Sequence, residues 1–260
     1  MYYGKELDAL CSSSWPVSVA AATKTWIELK RTLERRGTRT RVVVVPGKAT
    51  IYPEYLPDRY ASKDCFPKDI DAFWQQVEAI REPGFVPLRG VTLAAKQREN
   101  GPIFLHKDSH WNQVAASYMV RAVLRDLGGP VQMRARELSR GTQRAEGDLT
   151  RIVNDPQTEI APTVNIRREP DAPMIGGRTV IMADSFALNY RDMFARYFER
   201  IEPVWWYYST VEMKAAALAN ADTAILENIE RYYVIQDAEM QRLTELLKAM
   251  PPRTGRRGAG

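Results

Sequence analysis

Histidine is nearly missing from this chain: His106 and His110 are the only two in 260 residues. That shortens the search for a general base, because imidazole is the side chain whose unperturbed pKa lies nearest neutral pH. Cysteine is equally scarce. Cys11 and Cys65 form no CxxC pair, and two cysteines with two histidines argue against a zinc site. They are either two buried thiols or one disulfide, the latter only in an oxidising compartment. No apolar run approaches the ~18–20 residues that cross a bilayer. Met1 to Asp8 lacks the basic-then-apolar pattern of a secretory leader, so the residues alone read as cytoplasmic or as a chain whose leader is gone. No nucleic-acid-binding motif occurs, which sets nucleic acid aside as a partner. Neither a metal nor a cofactor is expected. There is no internal repeat and no linker, so residues 1–249 read as one domain. Residues 250–260 read as a basic, disordered tail around Arg253, Arg256 and Arg257.

The remaining composition is that of a globular protein: 45% hydrophobic residues in a chain long enough for a sizeable core. The net charge of +5 lies partly in the tail; the rest is either a solvated surface or an attraction for an acidic polymer. Strand and helix signals alternate. Val17 to Arg36 has helical spacing and Gly37 after its end. Arg41-Val42-Val43-Val44-Val45 is β-branched throughout, as in a parallel strand covered on both faces. An aromatic, proline-stiffened loop follows, Ile51 to Pro57, at the edge where open α/β sheets bind ligands. Helices are expected over 67–81, 112–127, 186–200, 212–219 and 237–250, and strands at 103–105, 178–182, 204–208 and 223–229. Residues 130–177 are the least regular. The alternation predicts a three-layer α/β/α sandwich with a mostly parallel sheet.

Two stretches carry chemistry. Lys107-Asp108-Ser109-His110-Trp111-Asn112 follows the apolar run Pro102 to Leu105, with an acid and an imidazole two positions apart. Val180 to Phe186 ends an apolar strand in Ser185, where the chain turns into a helix. A serine needs a base to become a nucleophile. His110 would be that base, Asp108 would hold its tautomer, and the peptide N–H of Ser185 would help bind an oxyanion. Plainer readings exist for each piece. A serine after aspartate at a strand end is also a helix cap, His110 alone could be structural, and Trp111, Trp205 and Trp206 suit a core. The argument rests on the two elements together.

Val44 to Pro57, Asp108-Ser109-His110-Trp111, Ala183-Asp184-Ser185-Phe186 and Glu227-Asn228-Ile229-Glu230-Arg231 together resemble, in order, the motifs of alginate O-acetyltransferases of the AlgX/AlgJ type. The resemblance implies an SGNH-hydrolase-like domain with circularly permuted motif order, since the Asp-x-His element precedes the serine. It implies transfer of acetyl to hydroxyls of a bacterial exopolysaccharide, alginate-like or cellulose-like, in the periplasm. It further implies a membrane-bound O-acyltransferase as acetyl donor, with Ser185 carrying the acetyl group, His110 as base and Asp108 orienting it. Tyr190 is similar in position to an active-site tyrosine of that family. With Tyr190, Trp111, Lys48 and Tyr52 are the candidates for holding substrate. The same residues would serve a carbohydrate acetyl esterase, and a non-catalytic polysaccharide-binding subunit is the third reading.

Overall fold

The computed structural model describes residues 7–8, 11, 17–60, 62–128, 138–166 and 173–252. The basic tail from Arg253 and most of the charged run at 167–173 lie outside the described residues. Five parallel strands form the central sheet: β1 (Arg39–Val45), β2 (Phe85–Pro87), β5 (Ile175–Ala183), β6 (Phe198–Trp205) and β7 (Thr223–Ile229), in the order β2-β1-β7-β5-β6. The last strand in sequence is therefore inserted at the centre, and the C-terminal ends of β1, β7 and β5 lie side by side. A crevice at such an edge is where open parallel sheets hold ligands.

The sandwich follows from the pleat. Val42 and Val44 face one core, Val43 and Val45 the other, because successive side chains of a strand point to opposite faces. On the first face lie α1 (Val19–Arg35), α3 (Phe66–Glu78), α9 (Val211–Ala219) and α11 (Asp237–Ala249), contributing Trp26, Trp74, Leu218 and Leu243. The other face carries α4 (Arg89–Arg98), α5 (Gln113–Asp126), α7 (Ser185–Leu188) and α8 (Arg191–Phe194), with Val120, Phe186 and Phe194 buried. Local sequence sets the helix ends. Ser18 caps α1 by accepting from the Ala21 N–H at 3.1 Å, and Gly37, at φ +85°, turns the chain away from it. Asn112 caps α5 through the Val114 and Ala115 amides.

Cys11 and Cys65 are joined, with Cα atoms 5.5 Å apart, tying the N-terminal segment to the start of α3. None of the described helices is long and apolar enough to cross a membrane.

Three expectations need correction, one of them the strand at 204–208, which runs Phe198–Trp205 and gives way to a turn at Trp206-Tyr207-Tyr208. Ile103 to Leu105 is not a strand of the sheet. The segment folds back on itself, with one bridge between Phe104 and Trp111 and the Asn112 N–H donating to the Ile103 carbonyl at 2.9 Å. Its apolar residues are buried by a loop rather than by ladder pairing. The long helix over 186–200 is instead two four-residue helices broken at Asn189 and Tyr190, and β6 already begins at Phe198. Within the irregular region a two-stranded antiparallel hairpin forms, β3 (Leu138–Glu146) and β4 (Thr158–Ile166), with α6 (Asp148–Ile152) at its turn. It docks on α5 through buried Ala161 and Val164 and a hydrogen bond from the Val164 N–H to Gln113 Oε1.

Candidate active site

Ser185 is the first residue of α7, directly beyond β5, and His110 reaches it from the 106–112 loop. His110 Nε2 is 2.6 Å from Ser185 Oγ, and His110 Nδ1 is 2.7 Å from Asp108 Oδ1. An ionised carboxylate only accepts, so Nδ1 carries the proton and Nε2 is left to accept from the serine hydroxyl. The Asp108 oxygen also takes the His110 backbone N–H at 2.8 Å, which locks the turn that aims the ring. Phe186 packs against the imidazole at 5.0 Å between ring centroids. Burial, the strongest influence on His110, opposes its charging. The hydrogen bond and negative charge of Asp108, with Asp148 adding to them, outweigh burial and the opposing charge of Arg231. The imidazole pKa is therefore held above its ordinary value. Burial likewise pushes the Asp108 carboxyl upward, but its bond to His110 holds it below the usual carboxylate range.

Sequence reasoning assigns no role to three further parts of this arrangement, although Asp184, Glu227 and Arg231 stand within the motifs quoted above. The first is Asp148 at the start of α6, whose Oδ2 is 3.4 Å from His110 Nδ1. Only Gly147-Asp148 before a helix hinted at it, forty residues from Asp108. The second is a buried acid pair beside Ser185, Asp184 and Glu227. Asp184 accepts from Phe186 N–H at 2.8 Å and Ile229 N–H at 3.0 Å, and its own N–H donates to Glu227 Oε2 at 3.2 Å. Burial, then the neighbouring charge of Asp184, holds the Glu227 carboxyl well above the usual range, and burial raises Asp184 as well. The third is Arg231, in α10 (Glu230–Tyr233), whose guanidinium lies over the Phe186 and Tyr232 rings. Its charge acts on His110, Asp184 and Glu227 together.

The other predicted residues are placed around this centre rather than at it. Lys48 is buried, and its ammonium donates to the Leu105, His106 and Asp108 carbonyls at 2.6, 3.0 and 3.0 Å, shaping the loop that carries the acid. Trp111 is buried, with its indole N–H on the Phe186 carbonyl at 2.9 Å. Tyr190 donates its hydroxyl to the Trp111 carbonyl at 2.5 Å, and burial pushes that hydroxyl far above its ordinary pKa. Tyr52 accepts from the Ile103 N–H at 3.1 Å and stacks on exposed Tyr55. A cleft of about 330 Å³ opens there, lined by Tyr52, Tyr55, Lys96, Glu99 and His106. The side-chain oxygens and nitrogens of Asp108, His110 and Asp148 lie within 4.8 Å of one another, close enough to surround a cation. They are already engaged by hydrogen bonds to each other and to Ser109.

This geometry sits in a chain whose residues 12–174 match the family profile described as "SGNH hydrolase-like domain, acetyltransferase AlgX". The chain belongs to that family. Asp108, His110 and Asp148 fall inside the matched span, and Ser185 lies beyond it. Over 133 residues the chain is 32% identical to the probable alginate O-acetylase AlgJ of Pseudomonas putida, a match covering 48% of this chain and 33% of that protein. The chain thus spans about a third of the length of this curated relative. Solved structures share the fold. The O-acetyltransferase domain of Pseudomonas putida AlgJ superposes with a TM-score of 0.54 at 20% identity, over 96% of this chain and 94% of that one. Pseudomonas aeruginosa AlgX does so with a TM-score of 0.59 at 14% identity, over 90% of this chain and 62% of AlgX.

Proposed function

We propose that this chain is a serine-dependent O-acetyltransferase acting on hydroxyls of a bacterial exopolysaccharide. The observation that carries the reading is the hydrogen-bond chain from Ser185 Oγ through His110 to Asp108, at 2.6 and 2.7 Å. In the first half-reaction Ser185 Oγ attacks the donor's acetyl carbonyl as His110 Nε2 takes its proton. The leaving group then departs with that proton, and acetyl stays on Ser185. In the second half a sugar hydroxyl gives its proton to His110 and attacks the acetyl carbonyl. The proton returns to Ser185 as the ester is released. Asp108 stabilises the imidazolium in both halves, and the Ser185 N–H supplies an oxyanion donor. Membership of the acetyltransferase family supports the acetyl group as cargo. The Cys11–Cys65 bond supports an oxidising compartment, hence the periplasm. There a membrane-bound O-acyltransferase would supply the acetyl group.

Incubation with an activated acetyl ester and an acetyl-free oligosaccharide tests the reading. Acetylated sugar is the expected product. Acetate alone would make the protein an esterase with the same three residues, and neither product would leave a binding subunit.

The same assay has a pH signature. His110 accepts a proton only when neutral, and its pKa is raised in the folded protein. Activity therefore falls as pH drops through that raised value, and the acid limb of kcat/KM should lie above the ~6.5 of free imidazole. A limb at or below that value would mean that Asp108 and Asp148 do not outweigh burial at His110.

A further inference from the structure

A second carboxylate faces His110. Asp148 Oδ1 accepts from the Ser109 N–H at 2.6 Å, and its Oδ2 accepts from the Ser109 hydroxyl at 2.5 Å while lying 3.4 Å from His110 Nδ1. The Asp148 N–H is directed at Asp108 Oδ2, 3.4 Å away. One ring nitrogen is thus flanked by two acids, one from its own loop and one delivered by the hairpin excursion.

The delivery is built. A Cβ on Gly147 would fall 1.8 Å from the Lys107 carbonyl oxygen, so this backbone approach needs glycine. The Leu149 N–H donates to that carbonyl at 3.2 Å. From β4, Glu159 accepts the His106 and Lys107 N–H groups at 2.9 and 2.7 Å. The whole 106–109 turn is therefore held from outside by residues of the hairpin and α6. The charged groups acting on the imidazole are Asp108, Asp148 and Asp184 on the acidic side and Arg231 on the basic side. Arg151 of α6 is paired with Glu146 and acts on the two acids.

We propose that Asp148 is a positioning residue for His110, a second acceptor beside Nδ1 that fixes Ser109 and keeps the ring aimed at Ser185. The inference deepens the serine acetyltransferase reading and rests on it for its catalytic meaning. It also gives the relay a fallback. When Asp108 is neutralised, Asp148 remains within reach of the same proton, so Asp108→Asn and Asp148→Asn should cost more together than their separate losses multiply to.

With only two histidines in the chain, proton NMR can follow each ring through a pH titration of the full protein. In Asp148→Asn the His110 titration should move to lower pH. The acid limb of kcat/KM should follow His110, and kcat/KM at neutral pH should fall about ten- to a hundredfold, the scale of a misaimed catalytic group. An unmoved His110 titration overturns the proposal, including the case where activity falls with an unchanged limb. Should the asparagine variant fail to fold, Asp148→Ser keeps a short acceptor at the helix start and is read the same way. Because the titration needs no substrate, a protein that transfers no acetyl yet shows the His110 shift would refute the function and leave the relay standing.

Discussion

Replacing Ser185 with alanine is expected to lower acetyl transfer by about 10⁴-fold or more, the scale seen when a nucleophile is taken from a serine–histidine pair. What remains is the contribution of binding and oxyanion donors. The fold should be indifferent: the hydroxyl's hydrogen bond is to His110, so its loss costs within about 0.5 kcal/mol, as for surface changes outside the core. Two measurements taken together are decisive. Mass spectrometry after a pulse of activated ester should find one acetyl group on the wild-type chain and none on the variant, and urea unfolding should give superimposable curves. A variant that still acquires acetyl at the same rate would move the nucleophile elsewhere and dismantle the proposed mechanism.

The largest effect on stability is expected one residue earlier. Asp184 is buried and accepts the amides of Phe186 and Ile229, so it stitches the end of β5 to the end of β7 and caps α7. Asp184→Ala would strand both N–H groups away from water, at about 1–3 kcal/mol each, the Phe186 bond being also the cap of α7. Glu227, whose carboxyl is pushed up by burial and then by the charge of Asp184, would lose that neighbouring charge but keep the backbone N–H of residue 184. A loss of about 4 kcal/mol or more in urea unfolding is expected, a large part of what a domain has. Asp184→Asn keeps one acceptor oxygen and should lose less. If alanine cost under about 1 kcal/mol, the pair would have no structural weight.

Local signals in the sequence were strong where a residue's neighbours in sequence determine its role. The valines of β1 read correctly as a parallel strand covered on both faces, and residues 223–229 read correctly as a strand. Asn112 before α5 and Ser18 before α1 behave as their side chains dictate. Illegible features depend on distant partners. Asp148 meets Ser109 across 39 positions, and nothing in either neighbourhood encodes that distance. Lys48 reads as a candidate for holding substrate, yet its ammonium donates to three carbonyls of the 105–108 segment. Ile103 to Leu105 has the composition of a strand, but it packs as a loop once Tyr52 and Asn112 satisfy its backbone. Ser185 was legible for the opposite reason: it stands at the end of β5, at the sheet's edge, where the 106–112 loop brings His110 and Asp108 to it.

The hairpin's attachment has a consequence for how this protein would fail. Its two strands form a sheet of their own, apart from the central five, yet Glu159 and Gly147 brace the turn that carries His110. Segments joined to a domain by few apolar contacts open at lower free energy than its core. Warming or mild denaturant would therefore unzip this ornament first, switching the molecule off while its main body stays native. The tolerance of the chain for heat and the tolerance of its chemistry for heat are separate quantities, and the second is the smaller.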